Sequence, residues 1–312
     1  MENKTILILG AGELGMPVIR NIAQESKKYN NVKVTVLLRG KTIESDDDEK
    51  KRNVGEIRSL GASLLAADLS APSADLISIF KNFDVVISCT GYGSGAGGFQ
   101  LKLANAVLDA GVKRYFPWQF GVDFEVIGRG SAQDLFDEQL DVRELLRSQN
   151  NTEWVIISTG MFTSYLFEKS FGLVDFDKKT VNALGSPDTA VTVTTPEDIG
   201  KLTAAIFFAE PQIKNTIVYI SGDTITYGQF ADVIDSLSGE KFERTISDID
   251  ELKNDLKNDP TNFVKKYRSI FGDGRGVSWG IEKTFNFQIS IETTSAKQWA
   301  EKNIEWNRKM II

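Results

Sequence analysis

Histidine is absent from the 312 residues, and cysteine occurs once, at Cys89. The first absence removes the side chain most used for proton transfer near neutral pH and the commonest metal ligand. It excludes Ser-His-Asp and Cys-His nucleophile systems and any histidine-bearing zinc site. A lone cysteine forms no intrachain disulfide or thiolate cluster, which fits a reducing compartment, and within its apolar segment Cys89 reads as a small buried hydrophobe. Positive charge is also short: 36 Lys and Arg stand against 43 Asp and Glu, for a net charge of −7, and no basic run breaks the balance. Nucleic acids and anionic membranes attract clustered cations, so neither is expected as a partner. The apolar runs are all shorter than ten residues, too short to span a bilayer, and no charged leader precedes a long apolar stretch. The expectation is a soluble cytoplasmic protein of about two domains.

What is present is an alternation. Apolar, β-branched runs at 5–9 (TILIL), 32–38 (VKVTVLL), 63–66, 84–88 (DVVIS), 114–118 (RYFPW) and 153–158 (EWVIIS) read as strands. Helical spacing separates them, as in Leu101, Ala104, Val107 and Leu108, or Leu135, Leu140, Val142 and Leu145. Continuous apolar strands alternating with amphipathic helices predict a doubly wound parallel sheet covered on both faces. The charge run DDDEKKR (46–52) reads as a solvated loop entering the helix KRNVGEIRSL. Past about residue 160 the alternation weakens: a Gly/Pro-bearing stretch (185–200) leads into a helix-like LTAAIFFA, a strand-like TIVYIS (216–221) and solvated helices over 247–268. The division expected is 1–160, and 161–312 as a smaller α+β substrate-binding region with some segments returning to the first sheet. No internal repeat or low-complexity linker is found.

Gly10, Gly12 and Gly15, with Glu13 and Leu14 between them, make G-x-G-x-x-G directly after the first strand and at the mouth of a helix. The first glycine serves a tight turn, the second lets a pyrophosphate approach the backbone, and the third allows close helix–sheet packing. The helix N-terminus favours the anion. This context predicts dinucleotide binding. Where NAD binders carry an acid at the end of the second strand, this chain has Arg39 followed by Lys41. A guanidinium there can stack on adenine and pair with a 2′-phosphate, so NADP(H) is the cofactor expected. Asp68 is placed to accept from the adenine amino group, and Thr90 and Gly91 lie at the carboxyl edge, where cofactors run in open sheets. The glycine-rich 92–98 reads as a loop over the cofactor or a lid.

Taken together, GAGELG, LLRGK, DVVIS, RYFPWQFG (114–121), FDEQLDVRELLRS (136–148) and PEDIG (196–200) resemble the NmrA-like and isoflavone-reductase-like branch of the atypical short-chain dehydrogenases. The resemblance covers about the first 165 residues and implies a Rossmann-type fold, NADPH, and reduction of phenylpropanoid-type or related aromatic substrates. It also implies a second possibility, since some members of that branch bind the cofactor without catalysis and act as redox-sensing regulators. Carried over, Arg39 and Lys41 meet the 2′-phosphate, Gln119 and Phe120 lie by the nicotinamide, and Thr159 and Gly160 border the substrate side of the ring. The assembly expected is a monomer or homodimer.

Two departures bear on chemistry. Leu9 stands where many relatives carry an extra glycine, and Gln139 stands where the reductases' F-x-x-K-x-x-V-R pattern places a catalytic lysine, here read Phe136 to Arg143. An amide can position a substrate but has no usable pKa. A substitute is Tyr165, four residues before Lys169 in the Tyr-x-x-x-Lys spacing of standard short-chain dehydrogenases. That dyad belongs one strand earlier, however, and Tyr29 with Lys33 repeats the spacing by chance. The other reading of Tyr165 is a pocket aromatic beside Phe162, Phe167 and Phe171. Asp123, Asp134, Asp137 and Glu138 form no paired-carboxylate site. The expected function is hydride transfer from NADPH to a small aromatic or conjugated substrate. The alternatives are a cofactor-sensing regulator and a flavin-linked or quinone reductase.

Overall fold

The computed structural model describes residues 4–91 and 97–306. Within them the chain folds as two compact units: Met1–Phe120 with Glu138–Ile157 and Pro196–Val218, and Gly121–Asp137 with Ser158–Thr195 and Tyr219–Ile312.

The first unit is built on the alternation of strand and helix. In chain order come β1 (Lys4–Leu9), α1 (Gly15–Ser26), β2 (Val32–Leu38), the single turn α2 (Gly40–Ile43), α3 (Asp48–Ser59), β3 (Ser63–Ala66), α4 (Ser73–Phe80), β4 (Val85–Ser88), α5 (Phe99–Asp109) and β5 (Arg114–Phe116). Beyond α6 (Phe124–Ile127), which belongs to the second unit, follow α7 (Leu135–Arg147) and β6 (Glu153–Ser158). β5 is shorter than the apolar run that announces it, because Pro117 has no N–H to give the ladder. Asp47 caps α3 by accepting from Lys50 N, so the acidic run becomes a helix start.

After β6 come β7 (Met161–Phe162), β8 (Val174–Asp175), β9 (Thr180–Leu184), β10 (Ala190–Thr194), α8 (Pro196–Phe207), β11 (Thr216–Tyr219), β12 (Asp223–Thr226), α9 (Tyr227–Ser238) and β13 (Glu243–Ser247). The central sheet has the order β11-β6-β5-β4-β1-β2-β3. Its strands pair in parallel, with Ile6 opposite Val34 on one side and Val85 on the other. Strand residues two apart share a face. Leu7, Leu9, Val86, Tyr115 and Ile156 therefore join one core with Leu76, Phe80, Leu103, Val107 and Leu146 of α4, α5 and α7. Ile6, Ile8 and Ile87 are equally buried on the opposite face, where α1 and α8 pack on each other and Gly200 of PEDIG lies against Pro17. This is a doubly wound Rossmann-type sheet.

The second unit carries two three-stranded sheets, β12-β10-β7 and β13-β9-β8. β10 runs antiparallel to β12 and parallel to β7. Thr226 and Gln229 form a capping box at the start of α9, and Phe230, Tyr227 and Phe271 are buried in this unit's core. No helix among the described residues is long and apolar enough to cross a membrane.

Candidate functional site

The β1–α1 turn is built around its three glycines, each for a different reason. Gly10 has φ +91° and its N–H donates to Leu37 O at 3.2 Å, which ties the turn to the end of β2. A Cβ at Gly15 would stand 2.4 Å from Gly10 O, so the third glycine is required where the helix meets the strand. At Gly12 a Cβ would have no atom of the described residues within 4 Å. Packing within the chain therefore leaves Gly12 unconstrained, and its surface open to an incoming group. Leu14 occupies the N-cap of α1 and supplies no side-chain cap, nor does the first turn carry an acid. Met16 N already donates to Gly12 O at 3.0 Å and Pro17 has no N–H, so what the helix start offers an anion is chiefly the positive end of its dipole.

Arg39 follows β2 directly as the N-cap of α2, with Lys41 one residue inside it, and both are exposed. Asp68 follows β3. Its carboxylate accepts from Ser70 N and Oγ at 2.9 and 2.8 Å, and these bonds, with the fields of Arg39 and Lys41, hold it below the usual carboxylate range. Lys102 of α5 donates to the carbonyls of Leu69, Ser70 and Ala71, pinning the same loop.

At the end of β4, Thr90 Oγ1 lies 3.2 Å from Ser88 Oγ. Gln100, buried near the start of α5, donates through Nε2 to both Thr90 Oγ1 and Gly91 O. The sequence offered Gln100 only as a polar residue early in a helix after a glycine-rich stretch. Of that stretch, Tyr92, Gly93, Ser94, Gly95 and Ala96 lie outside the described residues, and with them the loop-or-lid reading. Cys89 is buried between these groups, and burial pushes its thiol well above the ordinary range.

RYFPWQFG ends in a buried polar cluster. Arg114 donates to Phe207 O and Ile213 O, and burial pushes its guanidinium down to about 10. Gln119 gives its Nε2 to the backbone carbonyl of Gln139 at 2.8 Å and accepts at Oε1 from Arg143 Nε at 2.7 Å. The amide can face only one way, because a guanidinium donates and a carbonyl accepts. Gln119, Gln139 and Arg143 are each no more than 2% exposed, and Phe120 is buried beside them in sequence. The side-chain Oε1 of Gln139 is buried with no partner among the described residues. Arg143 entered the sequence reading only as the end of a pattern; its grip on Gln119 depends on the fold.

In the second unit, the amides of Thr159 and Gly160 both donate to Gly121 O, and Thr194 Oγ1 donates to Thr159 O at 2.6 Å. Gly160 has φ +73°, and a Cβ there would stand 2.0 Å from Thr192 O. Tyr165 lies on a 3-10 turn, Thr163–Leu166, and is 44% exposed. Lys169 lies beyond that turn and pairs with Asp177 at 3.1 Å. With three residues per turn, a spacing of four does not stack Lys169 on Tyr165 as an α-helix would. Phe162 and Phe171 contact the Tyr165 ring, whereas Phe167 packs on Phe230 and Trp299.

The acids near these segments all have structural partners. Asp123 caps α6 and accepts from Tyr219 Oη at 2.6 Å; Asp134 pairs with Lys266 at 2.6 Å, which holds its carboxyl low. Asp137 accepts from Gly130 N, and Glu138 from Leu101 N near the start of α5. Among the described residues no group of three or more Cys, Asp or Glu could hold a metal ion.

Residues 2–293 match the model of the NmrA-like family. An NmrA-like family domain-containing oxidoreductase of Gibberella moniliformis is 44% identical over 295 residues, covering 94% of this chain and 96% of that one. Among solved structures, an isoflavone reductase superposes with a TM-score of 0.74 at 23% identity, over 96% of this chain and 98% of its own. AtPrR2 with NADP+ and (+)-pinoresinol superposes with a TM-score of 0.76 at 20% identity, over 96% and 99%. At these identities the two structures speak to the fold.

Proposed function

The chain belongs to the NmrA-like family, and from that premise we propose that it is an NADPH-dependent oxidoreductase reducing a small aromatic or conjugated substrate. The observation that carries the cofactor is the β1–α1 turn: an unobstructed Gly12 facing an uncapped helix start, with exposed Arg39 and Lys41 and no acid at the end of β2. In this reading Gly10, Gly12, Glu13, Leu14 and Gly15 cradle the pyrophosphate, and Arg39 and Lys41 take the 2′-phosphate. Asp68 takes the adenine amino group. Thr90, Gly91, Gln119 and Phe120 position the nicotinamide end. The superposition on a structure holding NADP+ supports the choice. NADPH, when bound, supplies the hydride; the chain binds, orients and excludes water.

An amide stands at Gln139, Asp137 and Glu138 of α7 are held by Gly130 N and Leu101 N, and Lys169 is turned to Asp177, so none of these groups supports a general acid. The substrate proposed is one whose reduction needs little protein-assisted proton transfer, with water as the proton source. The same lack of a titratable group supports a second reading, a non-catalytic NADP(H)-sensing regulator.

NADPH oxidation against a panel of aromatic aldehydes, enones and quinones separates the two. Turnover of any member favours the reductase; tight NADPH binding with zero turnover across the panel leaves the regulator. Arg39→Ala tests the cofactor. Loss of a charge-assisted contact worth about 1.5–3 kcal/mol weakens NADPH by about 10- to 150-fold and leaves NADH nearly unchanged. Equal weakening of both would refute the 2′-phosphate assignment.

A further inference from the structure

Among the buried side-chain oxygens of the first unit without a hydrogen-bond partner, Tyr115 Oη, Thr203 Oγ1 and Gln139 Oε1, the last is tied to the exit of β5. Gln139 lies on α7 with 1% of its surface exposed, and its side-chain Oε1 meets no donor among the described residues. Folded proteins pair nearly all such atoms, and an unmade bond in the interior is a net cost. Gln119 satisfies both ends of its amide, one of them on Gln139's own carbonyl. Arg143 lies one helical turn on, on the same face of α7, yet directs its Nε to Gln119.

Placement supplies the second observation. Gln119 and Phe120 are the residues that leave the carboxyl end of β5, the side of an open α/β sheet on which ligands bind. Gln119 holds the Gln139 backbone 2.8 Å from that exit. The unfulfilled oxygen is thus kept at the ligand-binding edge by a rigid polar cluster rather than buried at random in the core.

We propose that Gln139 Oε1 is a neutral anchor that accepts a hydrogen bond from a donor on the bound ligand, either a substrate hydroxyl or the carboxamide NH2 of the cofactor. No proton is transferred, so the group is selected without being ionised. This rests on the reading of the chain as an NADP(H) protein and adds what its site demands of a ligand. A glutamine here suits substrates whose hydroxyl persists through the reaction, and does nothing to help expel a phenolate.

Equilibrium binding with two matched pairs of probes tests it and separates the sources. NADP+ is compared with its 3-acetylpyridine analogue, in which a methyl replaces the carboxamide NH2. In the presence of NADP+, 4-hydroxycinnamaldehyde is compared with 4-methoxycinnamaldehyde. The wild-type chain should prefer the donor-bearing member of at least one pair by about tenfold, the worth of one such bond. Gln139→Met should cut that preference to within about twofold without lowering Tm, with Gln139→Leu as the second loss variant. Gln139→Glu keeps an acceptor beside Arg143 and should retain the preference. The pair that responds identifies the source. Equal binding within both pairs by the wild-type chain, or a preference that survives in the Met and Leu variants, refutes the anchor while leaving cofactor binding intact. Failure of NADP+ to bind the wild-type chain at all would bring down the cofactor reading and the anchor with it.

Discussion

Replacing Gly12 with alanine should leave the protein as stable as before and remove most of its affinity for NADPH. A Cβ at this position meets nothing among the described residues within 4 Å, and the residue has no positive φ to protect. Gly→Ala at such a site changes stability by less than about 1 kcal/mol, and in the favourable direction when the unfolded chain loses entropy. A phosphate bonded to the turn's amides would instead find a methyl group in its approach. Displacing it breaks one or two charge-assisted bonds of about 1.5–3 kcal/mol each, a loss of at least about tenfold in Kd. Gly15→Ala is the control with the opposite signature. Its Cβ would sit 2.4 Å from Gly10 O, well inside van der Waals contact, so β1 and α1 must separate. Overpacking of this kind costs about 1–3 kcal/mol and lowers Tm by several degrees. Calorimetric melting and isothermal titration with NADPH on both variants give the four numbers needed. A folded Gly12→Ala protein that binds NADPH like the wild type would refute the placement of the pyrophosphate on this turn. A large loss of Tm in that variant would show that Gly12 is a packing residue.

Three further outcomes are expected. Gly160→Ala combines a left-handed φ of +73° with a Cβ 2.0 Å from Thr192 O, so it should destabilise by about 2–4 kcal/mol, read by denaturant unfolding; a change below about 1 kcal/mol would contradict the geometry. Burial pushes the Asp84 carboxyl up, but Lys113 and the N–H and Oγ1 of Thr5 outweigh it and hold it below its ordinary value. A depressed carboxylate pKa stabilises the fold above the unfolded value of about 3.9 and is lost as pH falls through the folded value. Asp84→Asn should therefore lower stability by about 1 kcal/mol at pH 7, with the gap to wild type narrowing in Tm measurements as pH falls below about 3.9. For Tyr165→Phe, the pairing of Lys169 with Asp177 leads us to expect an unchanged pH profile of turnover with any active substrate; a lost limb would restore Tyr165 as an acid.

The central sheet was legible because its inner strands, such as β1, β4 and β6, are buried on both faces and are written as unbroken apolar runs, and the edge strands β3 and β11 keep that apolar character although only partly buried. β1, β2, β3 and β6 lie within a residue of the runs that predicted them. The second unit was not. β7 and β8 are two residues long, and β13, ERTIS, has four exposed residues out of five. β10, AVTVT, was hidden in a stretch read as Gly/Pro-bearing, although its Val191 and Val193 are wholly buried. Such strands carry neither period nor length, and only their partners define them. The glycine turn was legible because backbone requirements show in residue type. Gln100 and Arg143 were not, since what each holds lies nine or more residues away and is set by tertiary packing.

The missing histidine acquires a definite meaning at this level. A chain without imidazole could still move protons with a lysine, a tyrosine or an elevated carboxylic acid. Among the described residues several substitutes are engaged elsewhere: an amide stands at Gln139, Lys169 faces Asp177, and the Tyr115 phenol and the Cys89 thiol are driven up by burial. The carboxylates of Asp134, Asp137 and Glu138 are bound to Lys266, Gly130 and Leu101. The polar cluster that does survive at the end of β5, Gln119 with Arg143 and Gln139, contains one permanent cation and two amides, none of which titrates near neutral pH. Such a cluster can orient a ligand and can distinguish donors from acceptors, but it cannot supply a proton. Binding and chemistry are thereby separable in this chain, and ligand selection can be measured whether or not turnover follows.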